Sequence, residues 1–297
     1  MPSIGNQGVY EDAAKIIRSA GAIIIAAGAG MGVDSGLPDF RGVDGFWRAY
    51  PSYQPLGIRF EELANPRHFH DDPTLAWGFY GHRLSLYRQT SPHRGFAILL
   101  AWATQRNVEC FVVTSNVDGH FQKAGFPRDG IHEVHGSIHH LQCLEPCSSQ
   151  IWPNEEDVPV DPETMRATRM PRCPRCGGIA RPNILMFGDW AWLSARSDRQ
   201  SVRLAHFLDG HRSISQAILE IGAGTAVATI RYFSERLAAS SRARIIRINP
   251  RESEIERPHL ALSTSALNAL EKIDALLRAG SLGLVWGIRP CLTVVRP

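Results

Sequence analysis

No run of about 18 apolar residues, the length a membrane-crossing helix needs, occurs in this chain of 297 residues. The opening segment, Met1-Pro2-Ser3-Ile4-Gly5-Asn6, also lacks the basic and apolar regions of a secretion signal. No membrane partner is expected, and the chain is expected in the cytoplasm, with a nuclear or organellar home left open. A surplus of one charge is missing too: 32 Lys and Arg against 29 Asp and Glu leave a formal charge of +3. That is too little to argue for nucleic acid and allows only a modest bias toward an acidic ligand. No internal repeat is visible. Cysteine is sparse, six in all, so a disulfide framework is not what holds the fold. At this length the chain can bury one large core plus a smaller module without one. A hydrophobic content of 44% and a charged content of 21% belong to a globular protein.

The stretch that orders the rest runs from Ala22 to Arg41. Its first half, Ala22-Ile23-Ile24-Ile25-Ala26-Ala27, is an apolar run of the kind that forms a buried parallel strand. It flows into Gly28-Ala29-Gly30, a turn where backbone can approach a ligand closely. Bare amides and a following helix N-terminus make such a turn a phosphate cradle. The general dinucleotide pattern also wants an acid about 20 residues further on. Glu61 and Glu62 are the nearest matches, in a region that does not read as a strand end, so an ordinary dehydrogenase loses ground.

Regular elements alternate along the chain. The spacing predicts a helix over Glu11–Ala20 stopped by Gly21, and a ligand-closing loop with short helices between Gly42 and Pro73. Asp71-Asp72-Pro73 caps a helix carrying Leu75, Trp77, Phe79, Tyr80, Leu84 and Tyr87, and a further helix spans His93–Gln105. Val108–Thr114 reads as a second buried strand. From Ile138 to Arg181 periodicity gives way to Pro, Cys, Glu and Asp, the mark of an insertion with its own stabilising device. Regular structure resumes at Pro182–Gly188. It continues with helix Ser197–Leu208, strand Ala217–Gly222, helix Ile230–Ser240, strand Arg244–Asn249 and helix Ser265–Arg278. Strands alternating with helices imply α/β architecture with a doubly wound parallel sheet.

Several groups of residues carry chemistry. Cys143-x3-Cys147 and Cys173-x2-Cys176 offer four thiolates, with Pro174, Gly177 and Gly178 suited to a knuckle turn. Four sulfurs make a closed tetrahedral zinc site with a structural role. Cys110 reads as core. His132, His135, His139 and His140 lie close enough in sequence to raise a rival catalytic metal site, or to be surface and core histidines. Thr114-Ser115-Asn116-Val117-Asp118 falls at the C-terminal end of a strand, where ligands sit in open α/β sheets, although Asn and Asp there are also ordinary turn residues. Tyr80 and Arg83, three apart on a helix, share a face. They are either an exposed pair or a grip for a carboxylate, which the planar guanidinium suits.

Gly28-Ala29-Gly30-Met31-Gly32-Val33-Asp34-Ser35-Gly36-Leu37-Pro38-Asp39-Phe40-Arg41 resembles the first motif of the sirtuins, the NAD-dependent protein deacylases. Further resemblances follow in the family's order as far as about Ala266. The likeness implies a Rossmann-like sheet domain with a smaller zinc-ribbon and helical module, and NAD between them. It implies that Gly28, Ala29 and Gly30 hold the pyrophosphate, that Phe40 and Arg41 shield the nicotinamide ribose and reach phosphate, and that Asp39 is among the cofactor-binding residues. Ser115-Asn116-Val117-Asp118 resembles the family's Gln-Asn-Ile-Asp, which puts Asn116 near the ribose or a water and Asp118 on the nicotinamide amide. Ser115 stands where Gln is usual and shortens one ribose contact. His135-Gly136 resembles the His-Gly pair whose imidazole is the general base, a task suited to a pKa near neutrality. Arg181 to Asp189 resembles the segment that binds substrate backbone by strand addition. There Leu185, Phe187 and Gly188 line the acyl-lysine tunnel, and Asp189 replaces Glu. Gly222-Ala223-Gly224 stands at the family's Gly-Thr-Ser without its two hydroxyls, Asn249 meets the adenosine ribose, and Ala266 touches adenine. Tyr80-x-x-Arg83 resembles the desuccinylase and demalonylase subgroup.

The chain therefore divides by expectation into a Rossmann-like part over 1–45, a cofactor loop and helical module over 46–90, the Rossmann-like domain again over 91–138, a zinc ribbon over 139–183, and the remainder over 184–297. The resemblance implies NAD and zinc as cofactors and acylated protein lysines as partners. The activity it implies is removal of acyl groups from those lysines, releasing nicotinamide and O-acyl-ADP-ribose, with a leaning toward succinyl and malonyl. The departures at Ser115 and Ala223-Gly224 keep NAD hydrolysis or ADP-ribosyl transfer as an alternative, and a silent NAD-binding module as a third. The oligomeric state is not legible.

Overall fold

The structure is a computed structural model that describes residues 7–38, 54, 57, 59–106 and 108–282, with side chains to 279. The expected cofactor residues Asp39, Phe40 and Arg41, most of the loop after them, Cys291 and the tail from 283 lie outside the described residues.

Strand β1 (Ala22–Ala27) is apolar throughout because both its faces are covered. Successive side chains point to opposite sides. Ile23, Ile25 and Ala27 pack with α1 (Gln7–Ser19), α5 (Arg94–Gln105) and α9 (Ala266–Leu282). Ile24 and Ala26 pack with α7 (Ala195–Gly210) and α8 (Thr229–Ser240) on the other side. The sheet has six strands, all parallel, in the order β3 (Ile131–Glu133), β2 (Glu109–Thr114), β1, β7 (Gln216–Ile221), β8 (Ala243–Ile248), β9 (Leu260–Leu262). From β1 the chain builds outward to one edge and then restarts on the other side. The C-terminal end of β1 is thus the switch point where such sheets open a crevice.

A second sheet of three antiparallel strands, β5 (Ile151–Pro153), β4 (Gly136–Cys143) and β6 (Ala180–Ile184), fills the region read as an aperiodic insertion. A register shift between Ser137 and Leu141 breaks the alternation of β4, which hid the strand from the sequence. The helices α2 (Phe60–Leu63), α3 (Arg67–Asp71) and α4 (Pro73–Gln89) pack on this sheet. Asp72 caps α4 by accepting from the Leu75 N–H at 3.1 Å, and Arg166 reaches back from the ribbon to the same carboxylate. Inside, the Trp77 indole N–H donates to the Ala180 carbonyl at 2.8 Å. The strand expected over Pro182–Gly188 ends at Ile184. Leu185 and Phe187 leave the ladder, their N–H groups donating to the His135 and Ala64 carbonyls.

At the switch point two turns press together. The Gly30 N–H donates to the Gly222 carbonyl at 3.0 Å, and Gly222 has φ +64°. A Cβ on Gly222 would lie 2.4 Å from the Gly30 carbonyl carbon and the Met31 nitrogen. Replacing Gly222 by Ala is expected to destabilise the fold by about 2–4 kcal/mol, combining left-handed strain with overpacking against backbone. Urea unfolding should show a lowered midpoint with unchanged slope, and a midpoint equal to wild type would contradict this.

Candidate functional site

A cavity of about 500 Å³ opens above the ends of β1, β2 and β7. Gly28 and Ala29 from the β1 turn form one wall, and Gly222, Ala223 and Gly224 from the β7 turn form the facing one. Ser115, Asn116 and Asp118 enter from the β2 turn, and His135 from the link between β3 and β4. Tyr80 and Arg83 from α4, with Leu185 and Phe187 beyond β6, line its continuation toward the helical module. Four expected site residues lie behind the wall. Gly30 braces the β7 turn; Asn249 is buried and donates to the Ala223 carbonyl at 2.8 Å; Ala266 is buried at the start of α9; Gly188, at φ +66°, follows the lining residue Phe187 without lining the cavity itself.

His135 sits where the chain passes from the large sheet to the small one. Gly136, with φ +78°, allows this crossing, since a Cβ there would be 2.1 Å from the Asn183 carbonyl oxygen. The imidazole is half-buried. Burial pushes its pKa below 6.5, opposed by a hydrogen bond with the Ser115 backbone. Its Nε2 lies 3.4 Å from the Thr229 hydroxyl. Asn116 donates its side-chain amide to the Gly28 carbonyl at 2.9 Å, tying the β2 turn to the β1 turn. Asp118 accepts from the His120 N–H at 2.9 Å, and burial raises its carboxyl above the ordinary range.

Tyr80 and Arg83 are not an exposed pair. Tyr80 is fully buried with its hydroxyl unpartnered, and burial pushes it up to about 12. Arg83, 7% exposed, donates to the Tyr87 hydroxyl at 3.0 and 2.7 Å and lies 5.1 Å from the centre of the Phe79 ring. A guanidinium packed among aromatic faces keeps its charge at low solvation cost. Of the acids at dinucleotide-motif spacing, Glu61 reaches the cavity wall while Glu62 accepts from the Arg59 N–H. Sequence reading missed Glu252, which also lines the cavity and accepts from the Thr225 N–H and hydroxyl. Its place depends on β8 lying beside β7, which no local pattern signals.

The four sulfurs of Cys143, Cys147, Cys173 and Cys176 lie within 4.8 Å of one another. Cys143 and Cys176 are 3.6 Å apart, as are Cys147 and Cys173. A tetrahedron of zinc–sulfur bonds has edges of roughly 3.8 Å, so the spacing fits. Against burial, the Cys176 and Arg175 backbone N–H groups lower the Cys173 thiol to about 7, which favours the thiolate a metal needs. The histidines do not form a rival site among the described residues. His132 contacts the Ser197 hydroxyl at 3.1 Å, His139 contacts the Asp118 carbonyl at 2.8 Å, and burial drops His140 to about 3.

A parallel sheet with a polar crevice at its switch point, joined to a four-cysteine ribbon, defines a dinucleotide-type α/β protein with a structural metal module. Residues 28–206 match the Sir2 family, and the chain belongs to that family, the sirtuins. Relatives include an NAD-dependent protein deacylase of Pyrococcus furiosus, 34% identical over 178 residues, a stretch covering 60% of this chain and 65% of that one. NAD-dependent protein deacylase 2 of Pyrobaculum aerophilum is 33% identical over 245 residues, covering 82% and 85%. The crystal structure of a Sir2 homologue–NAD complex shares the fold at a TM-score of 0.63 and 24% identity, over 92% of this chain and 94% of that one. No helix among the described residues is long and apolar enough to cross a membrane.

Replacing Cys173 by Ser is expected to remove one equivalent of zinc and to lower the melting temperature of the ribbon. Metal analysis of the purified chain checks this, and retention of full zinc by the variant would refute the ligand set.

Proposed function

We propose that the chain removes acyl groups from protein lysines at the expense of NAD, releasing nicotinamide and O-acyl-ADP-ribose. The observation that carries this reading is convergence: His135, Asn116, Asp118 and the β1 and β7 turns share one cavity that runs on to Tyr80 and Arg83. The fit to a dinucleotide rests on this chain's own groups. The Gly28-Ala29 turn presents backbone to the cavity, and Glu61 and Glu252 are acids on its wall, placed to accept hydroxyl protons. When bound, NAD supplies the glycosidic bond to be cleaved and the ribose that receives the acyl group.

The protein's part is positioning and proton transfer. Asp118 fixes the nicotinamide amide, Asn116 orients the ribose, and Leu185 and Phe187 hold the acyl-lysine chain. His135, on the cavity wall, takes a ribose hydroxyl proton on Nε2 while a hydrogen bond with the Ser115 backbone helps hold its ring. Because burial lowers the His135 pKa, the neutral base persists below pH 6.5. Deacylation kcat/KM is therefore expected to hold from neutral pH down to that point and to fall only as the pH drops through the lowered pKa. An acid limb centred above 6.5 would contradict the assignment.

The finer reading is a preference for acidic acyl groups, supported by the buried Tyr80 hydroxyl and the Arg83 guanidinium on the cavity wall. Arg83→Met is expected to lower desuccinylation at least about tenfold relative to deacetylation, the cost of one charge-assisted pair. Equal loss on acetyl, succinyl and malonyl peptides would remove the preference. The Ser115 and Ala223-Gly224 departures favour NAD hydrolysis or ADP-ribosyl transfer as the second reading. Incubation with NAD separates the two: O-acyl-ADP-ribose that requires an acylated peptide supports deacylation, and nicotinamide released without peptide supports the alternative.

A further inference from the structure

Where the family motif carries hydroxyls in the β7 turn, this chain has Ala223 and Gly224, yet a hydroxyl reaches the base from farther along. Thr229, the first residue of α8, places its Oγ 3.4 Å from His135 Nε2. Among the described residues it is the one side chain at that nitrogen. With its proton on Nδ1 the ring offers Nε2 as the acceptor, and a hydrogen bond with the Ser115 backbone helps hold the ring in place. Thr229 is itself exposed, so its hydroxyl lies between the half-buried base and solvent.

We propose that Thr229 is the positioning and relay residue for His135: its hydroxyl docks on Nε2 in the resting site and later conducts the proton from Nε2 to bulk water. The step balances without a net charge on threonine. The Nε2–H bond breaks as a new Oγ–H bond forms, while the original Oγ–H bond breaks and its proton passes to a solvent water. The imidazole returns neutral with its Nδ1 proton in place. The N-terminus of α8 favours this direction, because the positive end of a helix beside an imidazolium makes the cation less stable. The 3.4 Å separation is long for a hydrogen bond, as expected of a contact that yields Nε2 to the substrate hydroxyl and re-forms once that nitrogen carries the proton.

This inference rests on the deacylase reading for its chemistry, but its first test needs neither NAD nor peptide. In the free protein labelled with nitrogen-15 histidine, Thr229→Val is expected to move the His135 Nε2 resonance downfield as its hydrogen bond is lost, whereas Thr229→Ser leaves it in place. In turnover, Thr229→Val is expected to lower kcat for O-acyl-ADP-ribose formation about tenfold with KM little changed, a modest share of what general base catalysis contributes. Added imidazole should restore the Val variant without accelerating wild type, and Ser should retain most activity. An unmoved Nε2 signal in the Val variant, a loss shared equally by Ser, or a loss that imidazole does not repair would each overturn the relay. A wild-type chain that forms no O-acyl-ADP-ribose from acylated peptide counts instead against the deacylase reading.

Discussion

The site depends on backbone touching backbone at the C-terminal edge of the parallel sheet. Gly30 against Gly222 sets how close the β1 and β7 turns come, and hydrogen bonds carry that spacing sideways across four strands. The Thr114 hydroxyl donates to the Ala27 carbonyl, Asn116 to the Gly28 carbonyl, the Gly222 N–H to the Ile248 carbonyl, and Asn249 to the Ala223 carbonyl. Each strand end is thus tied to its neighbour by a polar group that would otherwise be buried without a partner. Asp34 extends the bracing to the far helix by accepting from the Leu267 N–H at 2.7 Å. Several residues of the family-like motifs therefore serve the scaffold first. The glycines make room for each other's chain as much as for a ligand, and Asn249 supports the wall from behind.

That arrangement explains which features the sequence discloses. The apolar run of β1, its glycine turn and the paired cysteines are local patterns, and each is where local reasoning places it. The ribbon's β4 is invisible because a bulge disturbs its alternation, and β9 because three residues carry no period. Glu252 is invisible for a different reason: the Thr225–Glu252 contact exists only because β8 follows β7 in the sheet, a fact of topology. The Tyr80–Arg83 pair is legible as a spacing, but its burial is not. α4 packs apolar groups on nearly every side, from Leu75 and Trp77 to Leu84 and Tyr87, so no polar face marks where its cation points.

Burial also sets the electrostatics of the cavity. Asp118 and Tyr80 are pushed up and His135 down, so desolvation moves all three toward their neutral forms. The charge on the wall comes instead from Glu61, Glu252 and Arg83. Arg83 is the contrast, a cation retained among aromatic rings and phenol oxygens. The polarity of the crevice is thereby graded, from backbone amides beside the glycine turns to a guanidinium at the other end.

The ribbon's reach into this chemistry follows from one short stretch of chain. His135 belongs to neither sheet: β3 ends at Glu133 in the parallel sheet and β4 begins at Gly136 in the antiparallel one. Its carbonyl accepts the Leu185 N–H from the end of β6, and Gly136 lets β6 come close enough for that bond. β4 runs from this junction directly to Cys143, which pairs in register with Ala180 at the start of β6. The metal-binding cysteines thus sit at one end of the strand pair and the imidazole at the other. The pairing of β4 with β6 and the Leu185 N–H to His135 carbonyl bond make one continuous backbone link between the two ends. Four sulfurs that leave no open coordination position thus brace the far end of the strand pair whose near end carries His135.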